Sequence, residues 1–190
     1  VGDRIPMTPD LGFDVVAIGA PTNVASALLL EPAIMRRIVV VWLGGQPFHW
    51  HTAREFNLAQ DPWASRLLFD CGVPLVHIPC MGVASQLLTT VPEVERHLAG
   101  TGPIGAYLLD IFKAYHADHF AWSKPIWDLA PIGYLLWPDS VPTTLAPSPI
   151  LTGEITYAED PARHAVRVAT FVHRDPIFRD LFTKLARRRG

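Results

Sequence analysis

Three short runs of apolar, largely β-branched residues, each closed by a turn signal, constrain this chain more than any other feature. Phe13-Asp-Val-Val-Ala-Ile18 closes on Gly19-Ala-Pro-Thr-Asn23, Ile38-Val-Val-Val-Trp-Leu43 on Gly44-Gly45, and Val73-Pro-Leu-Val-His-Ile78 on Pro79-Cys80. Runs of this kind fit strands buried on both faces. Between the first two, residues 24–30 predict a helix with Thr22 or Asn23 at its cap, stopping near Pro32. A second helix opens at Asp61-Pro62, with the acid at the cap and proline in the first turn. Its residues Ala64, Leu67, Leu68 and Cys71 share one face, and Gly72 ends it. This alternation predicts a Rossmann-like α/β fold with a mainly parallel open sheet flanked by helices. Right-handed crossovers then bring loops 19–23, 44–57 and 79–84 to one edge of the sheet, where such folds bind ligands.

The second half changes character. Residues 104–120 and 127–136 predict helices, and 150–157 with 165–172 predict strands, paired antiparallel at the sheet edge. Residues 175–188 predict a closing helix, with Asp175 at its cap, Pro176 at its first position and Ile177, Leu181 and Leu185 on one face. With 49% hydrophobic and 18% charged residues in 190, the chain supplies one core and is expected to be a single α/β domain over 1–190. The net charge is −2 and the basic run is confined to Arg187-Arg188-Arg189, which argues against a nucleic-acid partner. No apolar stretch is long enough to span a membrane, and the opening residues do not form a signal peptide. Cys71 and Cys80 lack metal-type spacing, so a reducing, cytoplasmic location is expected. The chain opens on Val1 with a strand signal soon after, which fits truncation at the amino end.

The middle loop is the most polar, carrying Gln46, His49, His51, Thr52, Arg54, Glu55, Asn57 and Asp61, with Phe48 and Trp50 interleaved. In an extended segment Glu55 and Asn57 face the same way, and a carboxylate beside an amide suits adjacent sugar hydroxyls. The competing reading is a surface loop that caps the following helix. His49-Trp50-His51 offers a His-x-His metal pair, but no third ligand follows at a recognisable spacing. Trp127-Asp128 opens a helix. The acid either offsets the helix dipole or faces a hard cation, with the indole offered to a base. Serine-nucleophile, phosphate-loop and dinucleotide motifs are absent.

Three blocks of residues resemble the inosine–uridine-type nucleoside hydrolase family. They are Val16-Ala-Ile-Gly-Ala-Pro-Thr-Asn-Val-Ala25 with Leu30-Glu31-Pro32; Leu43-Gly44-Gly45 with Ala53-Arg-Glu-Phe-Asn57, Asp61-Pro62 and Gly72-Val-Pro74; and Trp127-Asp128-Leu-Ala130. Their order and spacing hold along nearly the whole chain, and Glu-Phe-Asn followed by Asp-Pro after a Gly-Gly turn is the most specific part. The resemblance implies hydrolysis of the N-glycosidic bond of ribonucleosides by a Ca2+-activated water. By position it assigns Asp128 and the carbonyl of Ile18 to calcium, and Glu55 and Asn57 to ribose hydroxyls. Leu43 falls beneath the sugar, and His49 or His51 takes the place of a further ribose amide. Trp127 stands where many members carry histidine and resembles a purine-preferring branch, in which stacking assists the leaving base. Relatives of this kind are often dimers or tetramers, so a homo-oligomer is expected.

One departure is large. The family's first strand ends in an Asp-x-Asp-x-Gly-x-Asp-Asp cluster that supplies metal ligands and the general base, and Asp3 and Asp10 have neither that spacing nor a preceding strand. Calcium takes about six to eight oxygens, of which two are assigned here. A missing general base alone costs on the order of 10² to 10⁴ in rate. The chain by itself is therefore expected to be inactive, as the carboxyl-terminal two-thirds of a hydrolase. A binding or interaction module without catalysis is the alternative, and an unrelated nucleotide-binding α/β protein is a third.

Overall fold

A computed structural model describes residues 12–187; Asp3, Asp10, Arg188 and Arg189 lie outside them. The three apolar runs form β1 (Phe13–Ala17), β2 (Ile38–Leu43) and β3 (Leu75–Ile78). They pair in parallel, with Val15 beside Val40 and Val40 beside Leu75. The third strand starts two residues later than its apolar run because Pro74 lacks an N–H; its carbonyl still accepts from the Val40 amide at 2.8 Å.

Helices α1 (Thr22–Leu30), α2 (Phe56–Gln60) and α3 (Pro62–Asp70) lie between these strands. The cap of α1 is Pro21, not Thr22 or Asn23, and no side chain bonds to its first amides. Asp61 caps α3 as expected, accepting from the Ala64 amide at 3.0 Å and from the Thr22 hydroxyl at 2.6 Å. Beyond β3 come β4 (Leu88–Thr89), α4 (Val91–Leu98), α5 (Pro103–Ala114), β5 (Lys124–Pro125) and α6 (Leu129–Leu136). Then follow β6 (Thr143–Pro147), β7 (Ile150–Leu151), β8 (Tyr157–Ala158), β9 (Ala165–Ala169) and α7 (Arg174–Ala186). Helix α4 falls in a stretch without a sequence prediction, although Val91, Val94 and Leu98 repeat at helical spacing. Helix α5 stops at Ala114 rather than Phe120. The chain turns there and stacks His116 on Trp122, with ring centroids 5.4 Å apart.

The main sheet has the order β1-β2-β3-β9-β6. Strand β9 joins β3 in parallel, and β6 closes the edge antiparallel to β9. The expected pairing of 150–157 with 165–172 is therefore corrected. Residues 150–158 fold on themselves as the β7–β8 hairpin, and Thr143–Pro147 takes the edge position. Alternate residues of β2 feed two cores. Val39, Val41 and Leu43 pack with Val94, Leu98, Phe112, Ile177 and Phe178 of α4, α5 and α7. Val40 and Trp42 pack with Leu28, Leu58, Leu68 and Phe69 of α1, α2 and α3. Helices thus cover both faces, and loops 19–23, 44–57 and 79–84 share one edge. No described helix is long and apolar enough to cross a membrane.

The Asp61 cap ties the first of these loops to the start of α3. The Thr22 hydroxyl and then the Ala64 amide hold its carboxyl below the usual carboxylate range, against the opposing effect of burial. A depressed carboxyl contributes stability that is present above its unfolded pKa and lost as pH falls through the folded value. Asp61→Ala is expected to cost about 1 kcal/mol at neutral pH. Urea titrations of the two proteins should converge as the pH is lowered below about 4, the ordinary aspartate value. A gap that persists unchanged in acid would show that the carboxylate is not the stabilising species.

Candidate functional site

The turn after β2 organises the shared edge. Gly44 donates to the Ile78 carbonyl at 3.2 Å, and the Gly45 carbonyl accepts from the Cys80 amide at 3.0 Å, which locks loop 44–57 to the end of β3. Gln46 is buried; its amide nitrogen donates to the Arg54 carbonyl at 3.3 Å and its oxygen accepts from the Met81 amide at 3.2 Å. One side chain thereby holds both ends of loop 46–54 against loop 79–84.

Glu55 is the cap of α2. Its carboxylate accepts from the amides of Gly45 at 2.8 Å, Asn57 at 3.0 Å and Leu58 at 3.2 Å. Glu55 therefore caps the helix, as the competing reading of the loop expects, and its carboxylate is held in place by three backbone donors. Asn57 is not its neighbour along an extended segment, because the chain turns helical at Phe56. Its buried side chain runs the other way, donating to the carbonyls of Leu43 at 2.9 Å and Ile18 at 3.3 Å. That bond joins loop 19–23 to loop 44–57 and places the Ile18 carbonyl at the same edge. Leu43 itself is 1% exposed, so its side chain underlies this edge from within the core rather than opening onto it.

Asp128 stands at the cap position of α6 yet makes no capping bond. An acid at a helix start offsets the dipole without such a bond, so the carboxylate is left free for a further contact. The residue is exposed overall, with its carboxyl only partly buried. That partial burial raises its pKa, and Lys124 opposes the rise. Trp127 is half-buried against the first core. Burial pushes the Cys80 thiol far up, and the negative charges of Glu55 and Asp128 add to the rise. Glu55, Asn57, Ile18 and Leu43 are thus gathered along one edge or packed directly beneath it, while Asp128 acts on Cys80 through its charge and Trp127 packs against the first core. His49 and His51 are both exposed at the loop's outer turn and carry no hydrogen bond. Among the described residues no three His, Cys, Asp or Glu side chains are placed to hold a metal ion, so the His-x-His pair finds no third ligand.

Three contributors were missed by the reading of the sequence. Tyr157 receives the Gln46 amide on its hydroxyl at 3.3 Å, across 111 residues. His77 is fully buried in β3, and its Nε2 lies 2.7 Å from the Gly44 carbonyl. Cys80 follows a proline in an ordinary apolar context. A histidine in an apolar strand was the one available hint for His77, since buried polar groups usually have a bonding task.

Residues 4–179 match the model of the family described as inosine-uridine preferring nucleoside hydrolase. The chain is 31% identical over 144 residues to a putative pyrimidine-specific ribonucleoside hydrolase of Shigella boydii serotype 4, covering 72% of this chain and 59% of that protein. It is equally similar to the pyrimidine-specific ribonucleoside hydrolase of Escherichia coli O1:K1, of which it covers 46%. Two solved structures share the fold. The inosine-uridine preferring nucleoside hydrolase of Bacillus anthracis aligns with a TM-score of 0.72 at 21% identity, over 96% of this chain and 62% of that one. An inosine-guanosine nucleoside hydrolase aligns with a TM-score of 0.71 at 18% identity, over the same shares. The chain spans about half the length of the curated relatives it matches.

Proposed function

Because the chain belongs to the inosine-uridine preferring nucleoside hydrolase family, we propose that it carries the ribose- and base-facing side of a ribonucleoside N-glycosidase. In that reaction water replaces the base at the anomeric carbon, and the C–N bond breaks to release base and ribose. The observation that carries this reading is the convergence of Glu55, Asn57 and the Ile18 carbonyl on one edge of the sheet. Glu55, held by three amides, keeps lone pairs for ribose hydroxyls. Trp127 offers an indole against the base.

A calcium ion does not find a complete site in the described residues. Asp128 and the Ile18 carbonyl are two oxygen donors where calcium takes about six to eight, and that carbonyl already accepts from Asn57. Hydrolysis by these 190 residues alone is therefore expected to fall below detection, while ribonucleoside binding persists. Trp127 favours purine nucleosides through its larger stacking area. The pyrimidine-specific ribonucleoside hydrolases of Shigella and Escherichia favour pyrimidines instead, and that is the second reading. Both cysteines are free, which supports a reducing, cytoplasmic setting, and a homo-oligomer completes the proposal.

Calorimetric titration with inosine and with uridine, beside a reducing-sugar assay with calcium and with chelator, tests this. Binding of inosine above uridine without sugar release is expected. Calcium-dependent release would overturn the inactivity of the chain by itself, and uridine binding more tightly would overturn the purine preference. Absence of binding to both would remove the ribonucleoside reading.

A further inference from the structure

The Gly44–Gln46 turn has a bonding partner for each of its main-chain polar groups up to the Gln46 amide. The Gly44 amide goes to Ile78 and the Gly45 carbonyl to Cys80. The Gly45 amide goes to Glu55 and the Gln46 amide to the Tyr157 hydroxyl. The Gly44 carbonyl is left to His77, 2.7 Å from Nε2. A carbonyl only accepts, so Nε2 carries the proton and Nδ1 does not. That Nδ1 is buried without a hydrogen-bond partner, and burial pushes the imidazole down to about 4, so the ring is neutral.

A residue packed among aromatic rings is costly as a histidine unless its one bond is needed. Phe48 stacks on His77 at 4.9 Å and 8°, with Trp42 at 5.9 Å and Phe69 at 5.5 Å. Tyr157 stands edge-on to Phe48 at 5.1 Å. An apolar side chain of similar volume would pack there without an unpaired nitrogen. What the imidazole adds is a donor at the peptide joining Gly44 to Gly45. That same peptide carries the N–H bonded to Glu55.

We infer that His77 and Tyr157 are positioning residues for the Glu55 carboxylate: they clamp the Gly44–Gln46 peptide planes so that the Gly45 N–H is aimed at it. The inference deepens the ribose-binding reading and rests on it for its functional consequence. Neither side chain touches the sugar. They act through the turn, which acts through Glu55.

The test uses the full chain with two readouts, exchange of the Gly45 amide and affinity for inosine. His77→Phe keeps the stacked ring and removes the donor. One lost charge-orienting hydrogen bond is expected to weaken inosine binding about tenfold and speed Gly45 exchange by at least as much. His77→Gln, which restores an N–H near Nε2, is expected to recover most of both. Tyr157→Phe keeps its ring, loses only the hydroxyl and should move the same two quantities if His77→Phe does not fold. Unchanged Gly45 exchange in His77→Phe and Tyr157→Phe would overturn the inference, as would equal weakening by His77→Gln and His77→Phe. If the unaltered chain binds no inosine, the ribose reading fails separately, and Gly45 exchange still decides whether the clamp exists.

Discussion

Gly45→Ala is expected to be among the most damaging single substitutions in this protein. Gly45 has φ +67, and a Cβ placed there would lie 2.4 Å from the Tyr157 hydroxyl and 2.9 Å from Leu58 Cδ1. The left-handed backbone costs about 1–2 kcal/mol for an alanine. Overpacking against a buried wall adds roughly 1–3 kcal/mol. The turn cannot relax cheaply, because movement stretches the bonds to Glu55, Cys80 and Tyr157 together. A total loss of about 2–5 kcal/mol by urea titration is expected. Gly72 supplies the comparison: its φ is +80, but nothing lies within 4 Å of a Cβ built there. Gly72→Ala should therefore show the backbone cost alone. Equal losses in the two variants would mean that the close approach of Tyr157 and Leu58 is unimportant.

The second large effect concerns Trp42, which is fully buried in β2. Its ring packs on Phe69 at 5.8 Å, and its Nε1 donates to the Gly19 carbonyl at 3.1 Å. Trp42→Ala is expected to cost about 3–5 kcal/mol, since the strands and α3 around the ring cannot close the cavity. Trp42→Phe separates packing from the hydrogen bond. It keeps most of the apolar volume and loses the donor, for roughly 0.5–1.5 kcal/mol plus a small cavity term. Gly19 follows Ile18, so the phenylalanine variant should also raise amide exchange through loop 19–23. If that loop keeps its protection, the indole serves the core alone.

Much of the architecture was legible in the residues. The β-branched run Ile38–Leu43 became β2 with the bounds read from the sequence, and Asp61-Pro62 opened α3 as its chemistry demands. Both depend on local causes: side-chain periodicity and the orphan amides of a helix start. The parallel order of the first three strands followed from their helical crossovers, and it placed the three loops at one edge. The edge pairing in the second half was not legible. Any short apolar segment there can face Ala165–Ala169. Thr143–Pro147 wins because residues 150–158 close on themselves through Ile155, at φ +59, with the Thr152 and Thr156 hydroxyls 2.7 Å apart.

The same division runs through the candidate site. The sequence by itself determined which residue types stand after each strand, and hence that Glu55, Asn57, Trp127 and Asp128 belong to loops or helix starts. Tertiary structure alone decided what each is free to do. Glu55 is held by the amide of Gly45, Asn57 is turned onto the carbonyls of Ile18 and Leu43, and Asp128 is left without a capping bond. His77 and Tyr157 enter only through contacts across 33 and 111 residues. The physical reason is that a strand or a cap is chosen by neighbours a few residues away. A buried donor is satisfied by whatever acceptor the packed fold brings within about 3 Å of it, and no local pattern encodes that partner.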